Sequence, residues 1–430
     1  LSADTIFALS SGQPPAGIGI IRISGPAAAT TLRAVVGRIP APRVATYVTM
    51  ADPADGDVID RGLALWFPGP KTATGEDLAE LHCHGGRAVT AALLLMLARQ
   101  AGCRLAEPGE FARRAFLNGR IDLNEAQGLS DLLLAETQTQ RRAAMAMAQG
   151  DFSRRLETWR SEIVRLAALA ESVLDFSDAD DVPDDGMELV IAEGLRALGE
   201  QVRHELSRPA AERLRDGIRV VIAGPPNAGK STLLNRLVGR EAAIISSIAG
   251  TTRDRIEVPV AIDGIAYVFT DTAGLRNDTD DRIEQTGIDR AHEAIEAADI
   301  LLWLGEPQAA PRPDSLCIAA QSDRKDWTMA EGGQLALSAV SGAGLDALLD
   351  AIGQRASALL PRDDGYALHR QQREALEHIA TLIAEARDQS DTLVVAEILR
   401  LLRGAIDQLT GKAGTEDMLD ALFGTFCIGK

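Results

Sequence analysis

Cysteine is scarce in this chain: Cys83, Cys103, Cys317 and Cys427 are scattered over 430 residues with no framework spacing. That spacing favours a reducing cytoplasm over a disulfide scaffold. Long apolar runs are also missing. None approaches the roughly 18 uninterrupted residues that a membrane span needs, so no membrane partner is expected. The opening LSADTIFALSSG lacks the basic start of a secretory signal, as it lacks Met. Positive charge is in deficit, with 44 Lys and Arg against 62 Asp and Glu, a net charge of −18. Such a surface repels polyanions on average, which argues against a general nucleic-acid coat protein. The arginines that come in pairs, at 113–114, 141–142 and 154–155, are expected to lie on solvated helix faces. Internal repeats and low-complexity segments are absent as well.

What remains is a chain with 46% apolar and 25% charged residues, enough for sizeable cores, and long enough for two or three domains. Residues 1–118 read as mixed α/β: GIGIIRIS (17–24) and LALWFPGP (63–70) are strand-like, and AVTAALLLMLARQA (88–101) is helical. Residues 119–215 turn helical, as in RSEIVRLAALAESVLDF (160–176), interrupted by the acidic loop SDADDVPDD (177–185), which reads as solvated. From 216 to 358 strand and helix patterns alternate, as a parallel sheet requires. From 359 to 430 the chain is helical again. The economical arrangement is an α/β module inserted into a helical domain whose two parts are 119–215 and 359–430.

The inserted module carries GPPNAGKS (224–231), a G-x-x-x-x-G-K-[ST] loop between the strand RVVIAG and the helix STLLNRLV. Gly224 and Gly229 let backbone N–H groups turn toward phosphate oxygens, Lys230 reaches the β- and γ-phosphates, and the Ser231 hydroxyl suits Mg²⁺. AGTTRD (249–254) offers adjacent threonines to close on the metal and γ-phosphate. DTAG (271–274) places Asp271 near the metal's water shell and the Gly274 N–H at the γ-phosphate. Together they form a switch of the GTPase type. The expected nucleotide contacts are Asn227, Ala228, Gly229, Lys230, Ser231, Thr232, Ser246, Thr251, Thr252, Asp271, Thr272, Ala273, Gly274, Asp323, Ser338 and Ala339.

Two departures stand out. GTPases usually read guanine with N-K-x-D, and the matching segment here is Ala320, Gln321, Ser322, Asp323, with only the aspartate kept. The following S-A-K element has Val340 in place of lysine. GTP remains the expected nucleotide because Asp323 is the group that discriminates, with a weaker grip on the base. The water-orienting glutamine after D-x-x-G is replaced by Leu275, so Glu284 in the acidic segment 276–288 is the candidate to orient water. With no arginine finger in view, Asn227 is a candidate ligand for a monovalent cation against the phosphates.

Elsewhere, His82, Cys83 and His84 invite a metal, but on a strand the two histidines share a face while the cysteine points away, so a pocket-wall or structural role is expected. Trp159 and Trp303 read as core residues. The tail FCIGK has a cysteine fourth from the end, yet Gly429 and Lys430 do not suit a prenylation box and nothing upstream is polybasic. A neighbouring lysine and a flexible tail favour Cys427 as an accessible thiol with thiolate character.

DTIFALSSGQPPAGIGIIRISGP, GEDLAELHCHGG (75–86), GEFARRAFLNGRIDLNEAQGLSDLL (109–133), GPPNAGKS, IAGTTRD, DTAGLR and the terminal CIGK appear in this order. In this the chain resembles the MnmE (TrmE) family of tRNA modification GTPases over nearly its whole length. The resemblance implies a multidomain α/β and α protein: an N-terminal α+β domain akin to folate-dependent one-carbon enzymes, a helical domain, and an inserted Ras-like P-loop G domain with a mainly parallel sheet. It implies a cytoplasmic homodimer joined through the N-terminal domain, and an FAD-containing partner of the MnmG type in a heterotetramer or larger assembly. The implied substrate is tRNA, modified at C5 of the wobble uridine to (carboxymethyl)aminomethyluridine. The one-carbon unit comes from 5,10-methylene- or 5-formyl-tetrahydrofolate. Carried over by position, K⁺ is held by Asn227, Ser246, Thr251 and the Ile248 backbone, and Mg²⁺ by Ser231 and Thr252. Glu284 is the hydrolytic residue and Cys427 the thiol at the modification site. Folate is met by Arg22, Glu80, Lys430 and Arg120, where the family commonly has lysine. A regulatory GTPase in ribosome assembly and a conformational scaffold are the competing functions.

Overall fold

Alternating side chains explain the first sheet. In Ile18–Ser24 (β2), Ile21 and Ile23 are fully buried while Ile18 on the opposite face is exposed, the period-two pattern of a half-buried strand. The computed structural model describes residues 4–176, 186–208, 211–241, 257–272, 291–323, 334–360, 365–412, 419, 422–424, 426 and 429. They fall into two units, 1–130 with 404–430, and 131–403.

The first unit is built on a six-stranded sheet ordered β3-β4-β5-β2-β1-β6, with β1 Thr5–Leu9, β3 Thr46–Ala51, β4 Val58–Phe67, β5 Leu78–His84 and β6 Cys103–Leu105. All neighbours are antiparallel except β1 and β6. Helices α1 (Ala28–Val36) and α2 (Arg87–Ala98) supply Leu32, Val35, Leu93, Met96 and Leu97 to the core under this sheet, against Phe7, Ile21, Ile23, Met50 and Leu81. Next come α3 (Glu110–Leu117) and the start of α4 (Leu123–Leu134). Phe423 and Phe426 pack with Ala112 and Ala126 in a small second core. Gly109, at φ +69, allows it: a Cβ there would lie 2.2 Å from the Phe423 carbonyl oxygen, a distance no side chain tolerates.

The second unit holds the helices α5 (Gln138–Ala148), α6 (Asp151–Phe176), α7 (Met187–Leu206), α8 (Ala211–Arg215) and α12 (Arg370–Arg387). Along α6, buried Phe152, Leu156, Trp159, Ile163, Leu166, Ala170 and Val173 recur at helical spacing. Trp159 is 1% exposed and its indole N–H donates to Gln201 Oε1 at 3.0 Å. On α7, Gly199 leaves room for Ile383 of α12. Thr137 and Gln140 cap α5 reciprocally.

The second sheet is ordered β12-β11-β10-β7-β9-β8, with β7 Ile218–Ala223, β8 Glu257–Ile262, β9 Ile265–Asp271, β10 Ile300–Trp303, β11 Leu316–Ala319 and β12 Leu335–Ala336. Only the edge pairing of β8 with β9 is antiparallel. Helices α9 (Lys230–Glu241) and α11 (Leu345–Leu359), with a further helical turn pair α10 at 291–297 between them, flank this sheet. β7, the central strand, has four of its six residues buried in a row, as a strand covered on both faces requires. The mixed α/β and helical fold class, with a mainly parallel sheet in the phosphate-binding module, is what the sequence pattern implies.

Trp303 departs from the expectation of a core residue. It ends β10, is half-buried, and donates its indole N–H to the Glu306 carbonyl at 2.9 Å. The acidic loop 177–185 lies outside the described residues. Among the described residues, no helix is long and apolar enough to cross a membrane.

Candidate functional site

Three backbone features shape the loop after β7. Gly224 takes φ +155, Asn227 φ +60 and Gly229 φ +94. A Cβ on Gly224 would meet the Leu304 carbonyl oxygen at 2.8 Å, so the first glycine is fixed by the neighbouring strand as well as by its own torsion. The loop then enters α9. Lys230 is 8% exposed, and its ammonium donates to the carbonyls of Gly224 at 3.0 Å and Pro225 at 2.9 Å. These bonds hold a cation at the mouth of the helix N-terminus, where backbone N–H groups already favour an anion.

Behind it, the Ser231 hydroxyl donates to Asp271 Oδ2 at 2.5 Å, joining the start of α9 to the end of β9. Two hard oxygen donors on rigid elements, one of them anionic, suit Mg²⁺. Thr272 is turned inward, its hydroxyl donating to the Ile222 carbonyl at 3.0 Å. It therefore pins the strand end that carries Asp271.

A cavity of about 310 Å³ opens beside the loop, and Asn227, Ala228, Gly229, Thr232, Asp323 and Ala339 among the expected contacts line it. Leu233, Leu304, Ala320, Gln321, Leu337 and Val340 complete its wall. Ser338, next to Ala339 in the chain, is 1% exposed, with its hydroxyl accepting from the Ser341 N–H at 3.1 Å. Its part is to shape the loop that carries Ala339. Of the remaining expected residues, Ser246, Ile248, Thr251, Thr252, Ala273, Gly274, Glu284, Cys427 and Lys430 lie outside the described residues.

In the first unit, Arg22 on β2 faces Glu80 on β5, donating from Nε at 3.1 Å and from Nη2 at 2.9 Å to one carboxylate oxygen. The guanidinium also lies 5.8 Å from the Phe111 ring centroid. His82 approaches the other Glu80 oxygen at 3.3 Å. Arg120 is exposed and donates from Nε to the Thr72 carbonyl at 3.0 Å. The geometry thus couples Arg22 and Glu80 directly, and anchors Arg120 on the segment 72–75. Gly429 is also in this unit, its carbonyl accepting from the Ser10 hydroxyl at 2.8 Å.

The 82–84 triplet behaves as its alternation implies. Cys83 points into the core, donates to the Gly19 carbonyl at 3.4 Å, and has its thiol pushed up to about 11 by burial and then by Asp60. His84 pairs instead with Asp60 at 2.8 Å.

The sequence that carries these geometries matches known proteins. The family model described as the GTP-binding protein TrmE N-terminus matches residues 5–120, and that of the MnmE helical domain matches 123–427. The tRNA modification GTPase MnmE of Rhizorhabdus wittichii is 56% identical, covering all of this chain and 97% of the relative. The proteins of the same description from Novosphingobium aromaticivorans and Erythrobacter litoralis are 51% and 52% identical, each covering 99% of this chain and all of the relative. The chain belongs to the MnmE family of tRNA modification GTPases.

Two features of this MnmE-family chain escape a reading of the sequence. The pair Arg113 and Arg114 does not share one solvated face. Arg114 is 6% exposed and is surrounded by Asp4, Glu76 and Glu110, whereas Arg141, Arg142, Arg154 and Arg155 are exposed or half-exposed as expected. The signal available in sequence was the i,i+4 spacing of Glu110 and Arg114. The second is Gln321, whose side-chain amide donates to the Asn227 carbonyl at 3.0 Å, bridging two loops that are 94 positions apart.

Proposed function

We propose that this chain is a K⁺-activated GTPase that works with an FAD-containing partner of the MnmG type. Together they would modify C5 of the wobble uridine of certain tRNAs to the (carboxymethyl)aminomethyl form. The observation that carries the GTPase half is the P-loop with Lys230 seated on its own carbonyls and Ser231 bonded to Asp271, in a chain that matches the family along its whole length. The protein would act in the cytoplasm as a homodimer.

Lys230 and the loop N–H groups would hold the β- and γ-phosphates, and Ser231 and Asp271, with Thr252, would hold a hydrated Mg²⁺. Bound Mg²⁺ would neutralise charge on the β- and γ-oxygens. Asn227, with Ser246, Thr251 and the Ile248 carbonyl, would hold K⁺ against the phosphates, where it supplies positive charge in place of an arginine finger. Glu284 orients the attacking water, which the apolar Leu275 side chain cannot do. GTPase rates in K⁺ and in Na⁺ at equal ionic strength are expected to differ by about tenfold or more, on the order of one preorganised charge contact. Equal rates would remove the cation role of Asn227.

The one-carbon half rests on Arg22 and Glu80. Their paired charges, 27% and 16% exposed, fit a ligand that has both donors and acceptors on its ring. A bound tetrahydrofolate derivative would supply the carbon. Arg120 and Lys430 are the further cations for it, and Cys427 the thiol beside it. The Ser10–Gly429 hydrogen bond supports this reading, because it ties the chain two residues from Cys427 to the end of β1, next to the strand of Arg22. In the Cys427→Ser variant, GTP turnover is expected to persist while the modified nucleoside disappears from cellular tRNA. Full modification by that variant would overturn the role of Cys427. If tRNA from cells lacking the protein kept the modified nucleoside, a scaffold or ribosome-assembly function would be favoured instead.

A further inference from the structure

We infer that this chain reads guanine through its Watson–Crick edge alone, with N7 unread, and that Gln321 acts as a neutral strut that positions the reading loop. The inference deepens the GTP reading and rests on it. Guanine offers acceptors at O6 and N7 on one side and N–H donors at N1 and N2 on the other. In the loop after β11, Asp323 lines the cavity and carries the carboxylate that matches the N1 and N2 donors. Ala320 lines the same cavity, and its methyl group can offer nothing to N7. A side-chain amide is present at the next position, but it is engaged with the P-loop: Gln321 Nε2 donates to the Asn227 carbonyl at 3.0 Å.

The loop is clamped from two sides. Gln321 adopts φ +61, a left-handed conformation unusual for a residue with a side chain. On one flank its amide reaches the P-loop. On the other, the Ser322 N–H donates to the Leu337 carbonyl at 3.0 Å. Asp323 therefore inherits its position from the phosphate loop and from the strand leading to Ala339. A neutral amide does the bridging without adding a cation beside the base. Val340, 73% exposed on the cavity rim, offers apolar cover where an ammonium would otherwise stand.

The test is displacement of a fluorescent GDP from the full-length protein in Mg²⁺ buffer by GDP, 7-deaza-GDP, IDP and ADP. 7-Deaza-GDP is expected to bind within about twofold of GDP, because replacing N7 by C–H removes nothing the site uses. IDP, which lacks the N2 amino group, is expected to bind about tenfold or more weaker, the scale of one hydrogen bond to a charged acceptor. ADP, which presents an acceptor where guanine has its N1 donor, is expected to bind more weakly still, and ADP displacing the probe as well as GDP would overturn the role of Asp323. A tenfold weakening by 7-deaza-GDP would overturn the inference while leaving the GTP reading intact; failure of GDP itself to displace the probe would overturn both. The Ala320→Asn variant is expected to acquire a preference for GDP over 7-deaza-GDP of about fivefold. Gln321→Leu is expected to weaken GDP and 7-deaza-GDP by the same factor, with Gln321→Lys restoring both, since leucine removes the donor to Asn227 and lysine supplies one. A change in the ratio of the two nucleotides in Gln321→Leu would show that the amide reads the base, and would overturn the strut.

Discussion

Lys230→Ala is expected to lose GTP turnover by at least about 10²-fold, the scale of one preorganised donor aimed at transition-state charge. The side chain is nearly buried and its ammonium donates to the carbonyls of Gly224 and Pro225. Those bonds hold the ammonium on the loop, so alanine removes both the charge and the brace across the P-loop. Nucleotide affinity should fall together with turnover, because in the proposed site the ground-state β-phosphate would use the same ammonium. Glu284→Ala should behave differently: GDP and GTP affinity stay near wild type while turnover falls, since orienting water matters only as the reaction proceeds. Rapid-quench hydrolysis and fluorescent-nucleotide titration on the two variants separate these outcomes. Unchanged turnover in Lys230→Ala would mean that α9 and the loop N–H groups alone suffice.

The contrast between those residues tracks what the sequence makes legible. Lys230 belongs to a motif whose eight residues are contiguous, so chemistry and conformation are coded together: Gly224 and Gly229 need positive φ, and the ensuing helix supplies the anion site. The strands β2 and β7 were equally legible, because alternating or continuous burial is a local pattern. Gln321 was not. Read in sequence it is a missing lysine; its role depends on the Asn227 carbonyl, which arrives from the other end of the module. Arg22 and Glu80 fall between these cases. Their pairing requires β2 and β5 to be neighbours in a particular register, and register is set by turns and by the whole sheet rather than by either strand. Trp303 misleads for a related reason: a large aromatic at a strand end is only as buried as the loop that follows it allows.

Arg114→Met is expected to lower stability by about 3 kcal/mol, the lower end of the range for removing one partner of a buried ion pair. Methionine keeps much of the side chain's volume, so the loss reports charge rather than a cavity. Arg114 donates to Asp4 Oδ1 at 2.8 Å, to Glu110 Oε1 at 3.0 Å and to Glu76 at 3.1 Å. Glu76 in turn accepts from Ser24, which bonds Thr74, so the arginine is the hub of a network linking β2, the 72–77 segment and α3. Arg104 still serves Asp4 and Glu110 in the variant, which is why the larger losses seen for isolated buried pairs are not expected. Burial pushes Asp4 and Glu110 up, but their hydrogen bonds and charge contacts with Arg104 and Arg114, joined for Glu110 by the Glu107 N–H, outweigh it and hold both carboxyls below the usual range. Carboxylates that release protons more readily when folded stabilise the fold fully above about pH 4 to 5, and that stabilisation fades as pH falls through their lowered values. Wild type should therefore lose stability on acidification faster than Arg114→Met, and the two should converge at low pH. Urea midpoints measured from about pH 7 down to about pH 3 read this directly, across the range in which carboxylates titrate. A difference below about 1 kcal/mol at neutral pH would place the network with solvent-screened surface pairs, and a gap that stays constant with pH would show that packing, not charge, is what Arg114 contributes.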